Sequence, residues 1–329
     1  MSQSVVSVTM AYNAAEALPR QMDALIGQTR PLQEIIVVDN ASTDGTRAML
    51  AERYPQVTVL TMPENLGAAG AWVGGLSYAA LERRHDWVWT FDDDSVPEAN
   101  ALEMLLHGVN TLGETEAEVG MVATLPVDRG TGCSYRPVLW RDGFVKGPPA
   151  LLQQSVWWAD LVIASGCMVR RGMVEKIGLP RADFFMDVFD MEYCIRARAR
   201  GYKIAVITSA RLAHEIGNTR KINFLGYKRQ WLNQPPWREY YISRNLTYLA
   251  WWLYPNRATK ISMARHLLVH LAQVLLFSSD GLACAIRLIQ GFGDGLRARL
   301  GIRVRPTPKD LPNPGGSLAV AEKIETRKA

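Results

Sequence analysis

Three consecutive carboxylates, Asp92-Asp93-Asp94, follow the apolar run Trp87-Val88-Trp89-Thr90-Phe91. Unpaired, they repel one another strongly, and a divalent cation relieves that repulsion. Alternate residues of an extended segment point to one side, so Asp92 and Asp94 can share an ion while Asp93 faces the other way. Hard oxygen ligands select Mg²⁺ or Mn²⁺, which keep open positions for substrate phosphates. A solvated acidic turn is the plain alternative. Two further groups could do acid–base or ligand chemistry: His214 in Ala213-His214-Glu215, and the acidic pair in Asp190-Met191-Glu192-Tyr193, with Asp187 three residues upstream. A lone His is more often structural, and capping and the helix dipole also favour carboxylates where a helix opens.

Two other polar clusters follow apolar runs: Asp39-Asn40-Ala41-Ser42-Thr43-Asp44-Gly45 and Glu64-Asn65-Leu66-Gly67-Ala68-Ala69-Gly70. The first reads equally as a capped turn, because Asp, Asn and Ser favour turns and N-caps. The glycines of the second, with Gly74 and Gly75, have the spacing G-x-x-G-x-x-x-G-G. A dinucleotide fingerprint needs G-x-G-x-x-G after the first strand, so an oxidoreductase of that kind is disfavoured.

The elements that must position these residues alternate strand and helix. Strands are predicted at Val5–Tyr12, Glu34–Val38, Val57–Met62, Asp86–Phe91, Val119–Val127 and Lys203–Ile207. Helices are predicted at Ala15–Gln28, Thr46–Arg53, Ala69–Arg83 and Glu98–Gly108. Continuous apolar strands with helices between them indicate an α/β fold: a mostly parallel, Rossmann-like sheet covered by helices on both faces. Ligands of such sheets sit at the carboxyl ends of the strands, where the polar clusters fall. Residues 128–155, rich in Gly, Pro and Arg, read as a surface excursion flanking the cleft.

The ordered set of motifs resembles glycosyltransferase family two, the GT-A fold that uses nucleotide-diphosphate sugars. It comprises Val37 to Gly45, Asn65-Leu66-Gly67-Ala68-Ala69-Gly70, Asp92–Asp94, Ser165-Gly166-Cys167-Met168, Phe184-Phe185, Asp190 to Tyr193, Arg196, Gly201-Tyr202 and His214. It covers about residues 4–250. The lead-in Asp-Trp-Val-Trp and the pair Trp157-Trp158 look most like bacterial galactofuranosyltransferases; related rhamnosyltransferases share the Asn-Leu-Gly-x-Ala-Gly element. The resemblance implies a nucleoside pocket at Ala11, Tyr12 and Asp39 with Asn65 nearby, Asp39 accepting a pyrimidine N3–H. It also implies a metal held by Asp92, Asp94 and His214, Asp93 on the donor side, and Asp190 as general base, with Glu192 supporting it and Asp187 a competing candidate. Trp157 and Trp158 could stack on sugar faces or pack in the core. Arg196, Arg198 and Arg200 read as a solvated helix face.

The chain of 329 residues carries a net charge of +5, unevenly placed. Residues 1–216 hold 19 basic and 26 acidic residues, whereas 217–305 hold 14 and 3. The C-terminal part has helical patterns over 237–254, 257–279 and 281–300. Its longest uncharged run, His266–Ser279, is 14 residues, short of the ~20 that span a bilayer. Arg244, Arg257, Lys260, Arg265, Arg287, Arg297 and Arg299 beside Trp251, Trp252, Tyr254, Leu267 and Leu268 suit an interface with anionic lipid; an ordinary helical subdomain or an oligomer contact is the alternative. A catalytic region 1–216, a basic helical segment 217–303 and a flexible tail 304–329 are expected. Cys133, Cys167, Cys194 and Cys284 form no C-x-x-C pair, which excludes a dense disulfide framework and suits a reducing compartment. Met1 to Ser7 has neither the basic nor the apolar region of a signal peptide.

These features lead to one expectation: a cytoplasmic, metal-dependent inverting glycosyltransferase, peripheral on the inner face of the plasma membrane. It would use Mn²⁺ or Mg²⁺ to move galactofuranose from a UDP donor to a lipid-linked glycan of a surface polysaccharide such as O-antigen or cell-wall galactan. A dTDP-rhamnose-dependent enzyme is the nearest alternative. A sugar-phosphate nucleotidyltransferase lacks support, because Tyr12-Asn13-Ala14-Ala15-Glu16 has neither Gly nor Lys to cradle phosphate. A non-catalytic membrane scaffold would not need Asp92, Asp94, Asp190 and His214 together. Nucleic acid would seek a basic groove at the site, and this one is acidic. Homo-oligomerisation stays open.

Overall fold

A computed structural model describes residues 3–112, 118–129, 132–135, 137–214, 219–224 and 227–306. The elements begin β1 (Val5–Ala11), α1 (Leu18–Ile26), β2 (Glu34–Asp39), α2 (Thr46–Arg53), β3 (Thr58–Thr61), α3 (Gly67–Leu76), β4 (Trp87–Asp92), β5 (Val96–Pro97), α4 (Ala101–Thr111) and β6 (Val119–Asp128). They continue as β7 (Val138–Trp140), β8 (Phe144–Lys146), β9 (Val156–Trp158), β10 (Cys167–Arg170), α5 (Arg171–Ile177), α6 (Phe189–Ala199) and β11 (Lys203–His214). The last are the β12 (Thr219–Phe224) and β13 (Tyr227–Leu232) hairpin, then α7 (Pro236–Tyr248), α8 (Arg257–Phe277) and α9 (Gly281–Leu296). Most of the tail expected to be flexible, from 307 on, lies outside the described residues.

Among the described residues the main sheet has the order β3-β2-β1-β4-β10-β6-β11-β5, with β9 also paired to β11. β3, β2, β1 and β4 run parallel, as do β6 and β11, whereas β10 lies antiparallel between β4 and β6. The sheet is thus mostly parallel, as the alternation predicts, but mixed. The motif Ser165-Gly166-Cys167-Met168 supplies the antiparallel strand. Period-two alternation sorts side chains to the two faces. Val6, Val8 and Met10 join the core with α3, α5 and α6, while Val5 and Ala11 join Leu18, Met22 and Leu25 of α1 on the other face.

Strand β11 is longer than predicted and reaches His214 itself. An irregularity between Ile207 and Arg211 re-registers it against β6. Its outer edge is shared: β9 pairs with Ala205–Ile207 and β5 with Leu212–Ala213. Within 128–155, β7 and β8 form a hairpin whose Phe144 packs edge-on against His266 of α8.

Helix α7 runs between the loop ahead of α6 and α9. Gly291 and Gly295 of α9 allow the approach, since a Cβ at either would lie 2.2 or 2.6 Å from the carbonyl oxygens of Tyr240 and Arg244. Three expectations for this region change. Arg244 is fully buried rather than on a basic surface, Leu267 is buried, and Trp251 packs against Phe292. Trp252 and Leu268 remain exposed. Likewise Arg196 and Arg198 are not a solvated face: they pair with Glu192 and Asp160 at 3.0 and 2.6 Å.

Candidate functional site

The acidic run ends β4 and opens a tight loop to β5, at the carboxyl ends of the parallel strands. Asp92, Asp94 and His214 each offer one ligand atom, all within 4.8 Å of one another. Two carboxylates and an imidazole suit a hard divalent cation, whose ligand atoms lie about 3–4 Å apart, so slight closure completes the set. Burial, followed by the neighbouring charge of Asp94, pushes Asp92 up to about 6. A bound cation would remove that penalty. His214 Nδ1 lies 3.4 Å from Asp94 Oδ1 and 2.7 Å from Ser95 Oγ. Ser165 Oγ donates to Ser95 Oγ at 2.7 Å and accepts from the Asp92 N–H at 3.1 Å. β4, β10 and β11 therefore converge on one network.

Asp93 faces the other way. Its Oδ2 accepts the Tyr12 N–H at 3.1 Å, and burial together with Asp94 pushes its carboxyl up to about 7.

The second acidic group opens α6 after an unusual loop. Phe185, Asp187 and Val188 all have positive φ (63°, 59° and 66°), which non-glycine residues hold only when surrounding contacts over-determine them. Those contacts come from α7. Asn245 Nδ2 lies 2.8–3.0 Å from the carbonyl oxygens of Phe184, Met186 and Asp187, and Arg244 donates to the carbonyls of Asp183, Phe184 and Gly301. From the other side, Ala69 N–H donates to the Phe185 carbonyl, and a Cβ on Gly67 would lie 2.1 Å from that oxygen. Asp190 follows at the start of α6. Its Oδ1 accepts the Met191 N–H at 2.8 Å and its Oδ2 meets the Ala164 N–H at 3.4 Å. Burial pushes Asp190 up to about 6, against those two hydrogen bonds. Asp187 is gripped by Arg238, which donates Nε and Nη2 to both carboxylate oxygens at 2.9–3.1 Å.

At the ends of β1 and β2, Asp39 is fully buried. Its Oδ1 accepts the Ser42 N–H at 3.2 Å. Oδ2 has no hydrogen bond, though Arg47 Nε lies 3.4 Å away. Much of the following loop is a capped turn: Asp44 takes the Thr46 N–H and hydroxyl, while Asn13 and Ser42 tie it to the loop after β1. Ala11 is buried, its carbonyl accepting the Asn40 N–H. Asn65 Oδ1 accepts from Asn40 Nδ2 and the Gly67 N–H, which shapes the start of α3.

Three expected site residues are not brought to this cluster. Glu192 is buried and held by both oxygens to Arg196, which also caps the carbonyls of Ile177 and Leu179. Trp157 is buried in the core, and Trp158 is exposed beside Lys203. They pair with Val206 and Ala205, at the far end of β11 from His214. Two residues of the site carried no motif. Arg238 stands alone in a polar stretch. Gln21 had a signal: it sits on the inward stripe of α1 with Leu18, Met22 and Leu25, where a polar side chain must find partners.

A candidate cation site at the carboxyl ends of a curled, mostly parallel sheet is in keeping with a glycosyltransferase of the GT-A class. The chain belongs to glycosyl transferase family 2, whose model matches residues 7–178. Galactofuranosyltransferase GlfT1 of Mycolicibacterium smegmatis is 25% identical over 230 residues, covering 68% of this chain and 75% of that one. The dTDP-rhamnosyl transferase RfbF of Shigella flexneri is 25% identical over 251 residues, covering 74% and 79%. Among solved structures, GalNAc-T7 with UDP, GalNAc and Mn²⁺ superposes with a TM-score of 0.60 at 13% identity, covering 90% of this chain; the chain spans 56% of that one.

Proposed function

We propose that the enzyme is an inverting, metal-dependent glycosyltransferase moving galactofuranose from UDP-galactofuranose to a lipid-linked glycan during surface polysaccharide synthesis. The observation that carries the metal and base assignments is the arrangement of Asp92, Asp94 and His214 around a hard-cation site, with Asp190 at the opening of α6 beyond it. Asp92, Asp94 and His214 would hold Mn²⁺ or Mg²⁺, which supplies charge neutralisation for the donor diphosphate. Asp39 Oδ2, buried without a hydrogen bond, suits a pyrimidine N3–H, with Ala11, Tyr12 and Asn65 shaping the pocket and Asp93 fixing Tyr12. Asp190 takes the proton from the acceptor hydroxyl as it attacks. Glu192 serves α6 through Arg196 and has no role at the reacting atoms.

In this reading residues 1–216 carry the chemistry and 217–303 meet acceptor and membrane. α8 and α9 expose Leu268, Leu275, Leu276, Leu282, Ile286 and Ile289, with exposed Arg257, Arg265, Arg297 and Arg299 towards the ends away from their connection. No helix among the described residues is long and apolar enough to cross a membrane. Such faces suit lying in the headgroup plane of the cytoplasmic leaflet.

A rhamnosyl donor is favoured by one observation, the equal identity to RfbF. The deciding experiment incubates purified protein with Mn²⁺, a lipid-linked acceptor and a panel of nucleotide sugars, following nucleoside diphosphate release. Turnover of UDP-galactofuranose above dTDP-rhamnose is expected; turnover of neither, with Asp190→Asn indistinguishable from the parent, would overturn the enzymatic assignment of this site.

A further inference from the structure

Building on Asp190 as the base, we infer that Arg238 is a positioning residue: it engages both oxygens of Asp187 and leaves Asp190 as the carboxylate that accepts the proton. Two acids three residues apart compete for that role in the sequence, and the geometry separates them. Both Asp187 oxygens are taken by one guanidinium in the forked arrangement that only Arg provides. Asp190 has one oxygen on its own helix turn and the other on a long, 3.4 Å contact.

Arg238 does this from another part of the chain. It lies in the first turn of α7, just after Pro235 and Pro236. The same helix holds the Asp187 carbonyl through Asn245, so α7 fixes both the main chain and the side chain of the competing acid. Nη1 of Arg238 makes no hydrogen bond among the described residues. Among the described residues, the charged and titratable groups that act most strongly on Asp190 include Asp187 from the loop ahead of α6, Asp92 from β4, Cys167 from β10, Cys194 one turn along α6, and Arg238 from α7. Arg238 is the cation among them. Without it, Asp187 becomes an uncompensated like charge beside Asp190. Without Asp187, the guanidinium acts on Asp190 unopposed.

These two changes have opposite signs, which a merely structural role would not produce. The test is the pH dependence of kcat with Mn²⁺ and donor both saturating, for Arg238→Met, Asp187→Asn and the double variant. The acidic limb is expected to move up by about one pH unit in Arg238→Met, to move down in Asp187→Asn, and to return to the parent position in the double variant. An unmoved limb in Arg238→Met, or a double variant that keeps that variant's limb, would overturn the inference. If Arg238→Met does not fold, Asp187→Asn alone decides, and a limb that stays or rises overturns it. Asp190→Asn run alongside separates the two claims. Retained kcat there overturns the base assignment, whereas lost kcat with an unmoved Arg238→Met limb overturns only the role of Arg238.

Discussion

Gln21 holds Asp92 by its main chain. The side-chain amide donates to the carbonyl oxygens of Asp92 and Ser95, both at 2.6 Å, while its own carbonyl accepts the Thr9 hydroxyl at 2.8 Å. A buried side chain on α1 thereby ties down both ends of the turn that presents the candidate cation ligands.

Gln21→Met keeps the volume, removes three hydrogen bonds and leaves the Thr9 hydroxyl and the Ser95 carbonyl without a partner, while the Asp92 carbonyl keeps the Ser95 N–H. A loss of about 2–3 kcal/mol is expected in denaturant unfolding, with Mn²⁺ affinity weakened ~10-fold or more by calorimetry. Unchanged metal affinity would show that the loop holds its own shape.

The proposed metal dependence carries its own test. Chelation should reduce turnover to background, and Mn²⁺ or Mg²⁺ should restore it. His214→Ala should raise the metal concentration for half-maximal activity by at least ~10-fold, and Asp94→Ala should do so more strongly. Full activity after exhaustive chelation would contradict this assignment.

Asp190 links activity and stability through one proton. Its carboxyl is raised from the ordinary range to about 6, so kcat should fall as the pH drops through that value. The stability sign is opposite. A raised carboxyl favours the folded state at pH values below the ordinary carboxylate range, and that contribution is lost as pH rises through about 6. Asp190→Asn should therefore lose about 10³-fold or more in kcat yet melt a few degrees higher at pH 7.5. The melting difference should vanish near pH 4. A variant that melts lower at pH 7.5 would refute the burial cost.

Gly67→Ala tests the contact between the start of α3 and the loop before α6. Its φ of 73° and the 2.1 Å approach of a Cβ to the Phe185 carbonyl leave no room for a methyl group. A loss of about 3 kcal/mol is expected, read from urea unfolding, whereas Gly172→Ala, which meets nothing within 4 Å, should be near neutral.

For the helical face, flotation with liposomes containing anionic lipid should recover the protein, and Leu268→Ser with Leu276→Ser should abolish recovery. Binding that ignores lipid charge and salt would count against a headgroup interface.

Much of this architecture was readable from local pattern. The strands β1, β2, β4 and β6 announce themselves because both faces of the sheet are buried there, so each reads as an apolar run, whereas the two-residue β5 at Val96–Pro97 is too short to read. Asp92, Asp94 and His214 stand at strand ends, where chain order and sheet topology bring them together. What stayed hidden depends on partners far along the chain. Arg238 meets Asp187 across 51 residues, and nothing near either signals the other. Glu192 looked catalytic because it opens a helix beside Asp190, yet two residues of helical phase, about 200°, turn it towards Arg196. The Trp157-Trp158 pair resembled a sugar platform, but strand alternation sends one ring to the core and the other to solvent. Cys167 to Arg170 was legible as a motif but not as an antiparallel strand, since three apolar residues and an arginine carry no direction.

The divided outer edge of β11 has a further consequence. At twelve residues it is the longest strand of the sheet, and its last residue carries the imidazole of the candidate cation site. An open edge of that length would invite pairing with any extended segment that approached it. With β9 on its first half and β5 on its last, the strand that bears His214 offers little of its backbone to another chain, so the candidate cation site is built on a strand protected from fibre-like self-association.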